Sequence, residues 1–301
     1  MILVTGATGK LGRQILAELR SRMDPTKLAI SVRDPGRAAD LEASGILVRR
    51  GDYADPVSLT DAFEGAHQIL LLSSNARASG GDAVAQHRNA IEAARAVGVR
   101  RIVYTSHMGA CETSAFSPMH DHAATEALLV ESGIAWTALR NGFYAATVTM
   151  LMGGAADSGV LEAPEDGPVA WTDHADLAAA AAAVLCNEGS FDGPTPPLTG
   201  EQALDLAGIA TLLSGQAGRT IERRMVSDEE QEAWLCARGV PAGAVAMMLG
   251  LYHAARNGEF SRTDPLLSQL IGRRPIPLAE VLARNGADNA IVTSPSSSTP
   301  R

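Results

Sequence analysis

Short apolar runs and amphipathic stretches alternate through the first half of the chain. Ile2-Leu3-Val4-Thr5 is an apolar run that stops at a glycine loop, as a short buried strand does. Leu11, Ile15, Leu16 and Leu19 follow at helical spacing. Further runs at Leu28–Val32, Ile46–Val48, Gln68–Leu72 and Arg101–Thr105 predict the second to fifth strands. The fourth is almost continuously apolar, which suits a strand covered on both faces. Ser58–Phe63, behind Asp55-Pro56, and Asp82–Val97 read as intervening helices. Such alternation predicts an α/β chain with a doubly wound parallel sheet and right-handed crossovers.

Beyond Ser106 the regularity loosens. Ala123–Ser132 reads as a helix, Trp136–Leu139 as a sixth strand and Asp173–Asn187 as an alanine-rich helix suited to close packing on a sheet. Ala203–Ser214, Asp228–Arg238, Ala242–Gly258 and Pro277–Arg284 are helical in pattern. The implied division is a sheet domain at 1–145, a mixed segment at 146–288 that completes the sheet and adds a helical cap over the substrate side, and a tail at 289–301. The tail's Ser-Pro-Ser-Ser-Ser-Thr-Pro composition predicts disorder.

The loop between the first strand and first helix reads Thr5-Gly6-Ala7-Thr8-Gly9-Lys10-Leu11-Gly12. Gly6 permits a tight turn, Gly9 lets backbone approach a pyrophosphate, and Gly12 lets helix and strand pack closely. The helix behind it offers free N–H groups and a positive dipole end to phosphate. Strand, loop, helix and position agree, so Gly6, Thr8, Gly9, Lys10, Leu11 and Gly12 are assigned to a dinucleotide, and residues 1–145 to a Rossmann-type NAD(P)-binding domain. The second strand ends Val32-Arg33-Asp34-Pro35. An arginine at that tip matches a 2′-phosphate, and the proline after Asp34 suggests a side chain turned into the next helix start. NADP(H) is therefore expected in preference to NAD(H), with Arg37 as added charge. Asp52, after the third strand, is either an acceptor for the adenine amino group or a turn residue. Ser73, Ser74 and Asn75, after the fourth, would border ribose and nicotinamide, because ligands of such sheets lie beyond the carboxyl ends of the strands.

The glycine loop, Val32-Arg33-Asp34-Pro35, Gly51-Asp52 and Leu139-Arg140-Asn141-Gly142-Phe143-Tyr144 together resemble the NmrA-like branch of the atypical short-chain dehydrogenases. Val226-Ser227-Asp228-Glu229-Glu230 and Gly272-Arg273-Arg274-Pro275 extend the likeness over roughly residues 1–285. Within that branch the chain is most similar to bacterial NADPH:quinone reductases and triphenylmethane-dye reductases. The resemblance implies a reductase, with Asn141 on the cofactor side. The branch also contains NADP-sensing regulators without turnover, which signal to a protein partner.

The tyrosine-to-lysine pair of most short-chain dehydrogenases is absent: the chain's lysines are Lys10 and Lys27, and neither follows a tyrosine at that spacing. Carbonyl chemistry by that route is disfavoured, as is an isomerase or epimerase. The resemblance places Ser106 near the superfamily's catalytic serine and His122 where some relatives carry a catalytic lysine. Ser106 could instead only line the pocket, and His122 could be a backbone-bonded helix-start residue. Phe143 and Tyr144 are either a wall for a flat acceptor ring, with Tyr144 beside the chemistry, or core aromatics. Met248, with Met247, Leu251 and Tyr252, roofs the pocket or forms a core stripe. A quinone takes hydride readily and its oxyanion can be protonated by water. A site without a strong acid thus points to NADPH-dependent reduction of a quinone or similar electron-poor conjugated acceptor, with His122 positioning that acceptor.

Composition narrows this little further. Hydrophobic residues make up 46% and charged residues 20%, a globular balance. A formal net charge of −9 and only 4% aromatics argue against nucleic acid as a partner. A second copy of the chain, as a homodimer, stays open. The three cysteines, Cys111, Cys186 and Cys236, are scattered and unpaired in sequence, which argues against a metal site and for a reducing compartment. With no signal-peptide pattern and no membrane span, the expected location is the cytoplasm.

Overall fold

The structure, a computed structural model, describes residues 1–284. The segment 289–301, expected to be a disordered tail, lies outside the described residues.

The chain runs β1 (Ile2–Thr5), α1 (Lys10–Arg20), β2 (Leu28–Val32), α2 (Ala39–Ala43), β3 (Leu47–Arg50), α3 (Pro56–Phe63), β4 (Gln68–Leu71), α4 (Ala83–Ala96), β5 (Arg101–His107), α5 (Pro118–Glu131) and β6 (Ala135–Asn141). It continues through β7 (Phe143–Tyr144), α6 (Ala146–Met152), α7 (Ala155–Ser158), β8 (Val160–Ala163), β9 (Trp171–Thr172), α8 (His174–Cys186), β10 (Gly193–Pro194), α9 (Leu206–Ala217), β11 (Glu222–Met225), α10 (Asp228–Ala237), α11 (Ala242–Arg256) and α12 (Leu266–Ile271). Residues 278–284 are helical.

Seven strands form one parallel sheet in the order β10-β6-β5-β4-β1-β2-β3. The chain reverses direction across the sheet between β1 and β4, the switch point where ligands of this architecture sit. Alternation along each strand feeds two cores. Ile2, Val4, Ile30, Val103 and Leu139 face α1 and α8, where buried Ala178–Ala183 lets the two helices approach closely. Leu3, Ile69, Leu71, Ile102 and Tyr104 face α3, α4 and α5. A third core gathers Phe143, Trp171, Leu251, Tyr252 and Phe260 from the C-terminal half. Among the described residues no helix is long and apolar enough to cross a membrane.

The structure departs from the sequence pattern in three ways that shape the site. Helix α5 begins at Pro118 rather than Ala123, since proline suits a first helical turn; His122 therefore lies inside the helix and not at its start. Strands β5 and β6 run on to His107 and Asn141 because their polar ends pair with each other, Ser106 beside Arg140 and His107 beside Asn141. The short strand pair β8–β11 was not expected from Glu222-Arg223-Arg224-Met225, which has no apolar alternation.

Candidate active site

The glycine loop owes its shape to local contacts. Gly6 has φ +58, in the left-handed region that disfavours a side chain. A Cβ on Gly12 would stand 2.4 Å from the Gly6 carbonyl oxygen, so only glycine lets α1 pack onto the loop. Gly9 differs: it is exposed, and a Cβ there would meet only the Gly6 oxygen, at 3.3 Å. That contact is tight but needs only a shift of a few tenths of an ångström, so the protein's own packing demands glycine far less at position 9 than at 12. Gly9 is also the N-cap of α1 and supplies no side-chain cap, whereas α3, α4, α8, α9 and α10 start on Asp55, Asp82, Asp173, Asp205 and Ser227, each capping a backbone N–H. The first-turn N–H groups of α1 are left for an anion from outside. Thr8 is half-buried and Lys10 exposed, while the Leu11 side chain points into the core, so Leu11 can offer a ligand only its backbone.

At the tip of β2, Arg33 is exposed and has no hydrogen-bond or ion-pair partner among the described residues. Asp34 turns away and accepts from the Gly36 N–H at 3.0 Å, capping the next turn. Arg37 is exposed nearby. Asp52 accepts from the Ala54 N–H at 3.0 Å, the turn role for one of its oxygens. Beside it, Tyr53 escaped the sequence reading. Its hydroxyl reaches Thr5 Oγ1 at 2.6 Å and the Leu72 carbonyl at 2.7 Å, bracing the carboxyl ends of β1 and β4.

Next to this edge lies a cavity of about 180 Å³, lined by Ser73, Ser74, Asn75, Arg77, Ala78, Ala83, His87, Tyr104, Pro118, Asp121, His122 and Met247. It brings the Ser73–Asn75 loop and His122 together. Ser74 N–H donates to His87 Nε2 at 2.8 Å, and His87 Nδ1 meets Thr125 Oγ1 at 2.8 Å. Burial lowers the His87 pKa to about 3, so the imidazole is neutral and Nδ1 carries its proton. His122 Nδ1 lies 2.9 Å from the Tyr104 hydroxyl. Burial lowers the His122 pKa to about 4 and drives that of Tyr104 upward. At the rim Arg77 grips Asp121 through two bonds of 2.7 and 2.5 Å. A larger open groove of about 550 Å³ lies between β3 and α3. Its arginines are already engaged, Arg49 by the Ala62 and Glu64 carbonyls and Arg50 by Asp55.

Other expected site residues fall elsewhere. Ser106 is buried and donates to Glu126 Oε1 at 2.6 Å, and Glu126 is gripped by Arg140 at 2.7 Å. Phe143 is buried among His107, Phe116, Trp171 and Phe260, so it is a core aromatic rather than a cavity wall. Met247, not Met248, reaches the cavity; Leu251 and Tyr252 belong to the third core. His120 bonds the Ser114 carbonyl away from the cavity. Asn141 is buried with its Oδ1 unpartnered, and burial raises the pKa of the nearby Tyr144 hydroxyl. The Tyr144 ring lies on His174 at 4.3 Å. Tyr144 packs against the core shared by α1 and α8, and neither it nor Asn141 lines the cavity. Burial and the nearby charge of Lys10 lower the His174 pKa to about 4.

Comparison with known proteins identifies the family. Residues 6–188 match the NAD(P)H-binding family. The chain is 37% identical over 281 residues to quinone oxidoreductase 2 of Escherichia coli, across 93% of this chain and 96% of that protein. The crystal structure of the NADPH-dependent quinone oxidoreductase of that species, complexed with NADPH, superposes with a TM-score of 0.88 at 36% identity, over 95% of this chain and all of that one. Citrobacter sp. triphenylmethane reductase complexed with NADP(H) gives 0.85 at 33% identity, over 94% and 99% of the two chains. An NmrA-like family domain-containing oxidoreductase of Aspergillus flavus is 31% identical over 281 residues, 91% of each. By sequence and fold alike, the chain belongs to the NAD(P)H-binding family, in its NmrA-like oxidoreductase branch.

Proposed function

We propose that this protein is an NADPH-dependent reductase of quinones or similar electron-poor conjugated acceptors. The observation that carries the cofactor half is the pairing of an uncapped α1 N-terminus with a free arginine at the tip of β2 whose neighbouring carboxylate is turned away. The residues present fit that cofactor. Backbone at Gly6, Thr8, Gly9, Lys10, Leu11 and Gly12 would hold the pyrophosphate, and Arg33 the 2′-phosphate. The free oxygen of Asp52 would face the adenine, while Ser73, Ser74, Asn75 and Asn141 would border the ribose and carboxamide. When bound, the dihydronicotinamide ring supplies the hydride.

The acceptor half rests on what the cavity lacks. Among its lining residues are no lysine and no free carboxylate, since Asp121 is held by Arg77. Its imidazoles are neutral near pH 7. Such a site can hold, orient and dry a conjugated ring, and His122 can position it, but it brings no strong acid to the reaction. That suits an acceptor whose reduced oxygen water can protonate. The similarity to a quinone oxidoreductase and to a triphenylmethane reductase supports the same substrate class.

The test is a screen of the purified protein for NADPH oxidation across quinones, triarylmethane dyes and enones, with NADPH and NADH dissociation constants measured alongside. Turnover confined to quinones and dyes, with NADPH the tighter cofactor, is the expected result. Tight NADPH binding without turnover of any acceptor would instead identify an NADP(H)-sensing regulator.

A further inference from the structure

We propose that Tyr104 is a positioning residue: by donating its hydroxyl proton to His122 Nδ1, it holds that imidazole as the Nε2–H tautomer, so that the cavity presents one neutral N–H donor to an acceptor's oxygen. This deepens the reductase reading and rests on it for the identity of the acceptor. The tautomer assignment rests on the hydrogen-bond geometry around Tyr104 and not on the acceptor.

Tyr104 lies in the middle of β5 and is fully buried. Its phenol proton must find an acceptor there, because an unpaired buried hydroxyl is costly. His122 Nδ1, at 2.9 Å, is the hydrogen-bond partner in place. The competing acceptor is Thr125 Oγ1, which has one lone pair left: it donates to the Asp121 carbonyl at 2.7 Å and takes the proton of His87 Nδ1, which is fixed as a donor because Ser74 N–H occupies His87 Nε2. The Nδ1 lone pair of His122 is unshared and is the better acceptor for the phenol. The two rings flanking the pair hold it in place. His87 meets the Tyr104 ring edge-on at 5.3 Å, and His107 lies 6.0 Å from the His122 ring.

Burial outweighs the two carboxylates that would favour an imidazolium at His122. Asp121 and Glu126, on the same helix, are paired with Arg77 and Arg140. His87 and His107 pack nearby, both with pKa values lowered by burial. His122 therefore meets the cavity neutral, with Nδ1 occupied and Nε2 free. An N–H in that position discriminates by chemistry. A quinone has a carbonyl oxygen to accept it; a triarylmethane cation has none.

The experiment uses the full-length protein labelled with 15N at histidine, with His122 assigned by comparison with His122→Gln. The expected wild-type spectrum near pH 7 shows His122 as a single Nε2–H tautomer, and Tyr104→Phe shows a mixture. In parallel, kcat/KM for a benzoquinone should fall about 2- to 10-fold in Tyr104→Phe, the loss of one neutral hydrogen bond, and by more than kcat/KM for the dye, which has no oxygen to accept it. A wild-type Nδ1–H tautomer would mean that Tyr104 turns to Thr125 and would overturn the proposal. So would a Tyr104→Phe spectrum identical to wild type, or equal losses on quinone and dye. Should Tyr104→Phe fail to fold, the wild-type spectrum still decides the tautomer. Should no acceptor be turned over, the reductase reading falls and the spectrum alone tests Tyr104.

Discussion

Ser106 donates its hydroxyl to Glu126 Oε1 at 2.6 Å, in a partly buried triad closed by Arg140. The serine that family resemblance placed near the chemistry is thus spent on fastening β5 to α5 and β6. Ser106→Ala should lower stability by about 1.5–3 kcal/mol, the usual loss for a hydrogen bond to a charged group. Turnover per folded molecule should stay within a few-fold. Urea unfolding and kcat on the same preparation check this. A hundredfold fall in kcat with unchanged stability would restore Ser106 to catalysis.

Arg33 has nothing to do in the protein alone, which makes its removal a clean experiment. Arg33→Ala should weaken NADPH by on the order of 1.5–3 kcal/mol, the strength of a charge-assisted hydrogen bond or two. NADH, which lacks the phosphate, should bind as before. Dissociation constants for both cofactors decide it. Equal losses would show that Arg33 does not meet the 2′-phosphate.

Gly9 and Gly12 should fail in opposite ways. A Cβ at Gly12 would stand 2.4 Å from a carbonyl oxygen and 2.9 Å from Ala7 Cα. Gly12→Ala should therefore cost about 1–3 kcal/mol by overpacking. Gly9 has extended backbone and one tight neighbour, the Gly6 oxygen at 3.3 Å from a Cβ, so Gly9→Val should lose less stability than Gly12→Ala and should lose NADPH. Thermal melts and NADPH fluorescence of the two variants separate the outcomes. A Gly9→Val protein with wild-type affinity would mean the loop is not the phosphate site.

The buried histidines make the fold acid-sensitive. His87, with its pKa lowered from 6.5 to about 3, and His107, lowered well below 6.5, stay neutral in the native state. The unfolded chain protonates the same groups near pH 6.5. Their contribution to stability is complete above that pH and is lost as pH falls toward the native pKa. Each such proton changes stability by about 1.4 kcal/mol per pH unit. Urea unfolding at pH 7, 6 and 5 should show stability falling with pH, with a shallower slope in His87→Gln. A flat wild-type profile would show that these imidazoles do not titrate as their burial requires.

What was legible in the sequence was local. The glycine loop and the apolar runs of β1, β2 and β4 specify backbone shape within a few residues, and Asp34-Pro35 signalled its own turn. Distant contacts were hidden. The cavity assembles from residues near 73–78, 83–87, 104, 118–122 and 247, and nothing near His122 in the chain names Tyr104 as its partner. Phe143 and Met248 have the residue types of a pocket wall, yet sequence cannot say which way a side chain turns. Tyr53 carried no motif at all; its role exists only because β1 and β4 are neighbours in the sheet.

The last prediction concerns the proton. With a pKa of about 4 set by burial, His122 is almost entirely neutral from pH 5.5 to 8 and can donate a hydrogen bond but not act as an imidazolium acid. Quinone kcat should then be flat across that range, and dye kcat likewise. His122→Ala should slow quinone reduction by about the worth of one neutral hydrogen bond, 2- to 10-fold, and leave the dye, which needs no proton, little changed. A general acid would behave otherwise. Its loss would cost roughly 10²–10⁴-fold on the quinone alone, and wild-type quinone turnover would decline above a pKa that the mutation removes. That pattern would make His122 the catalytic acid and would mean that cofactor or substrate raises its pKa by several units on binding. Full pH profiles of wild type and His122→Ala on both substrates separate the two cases.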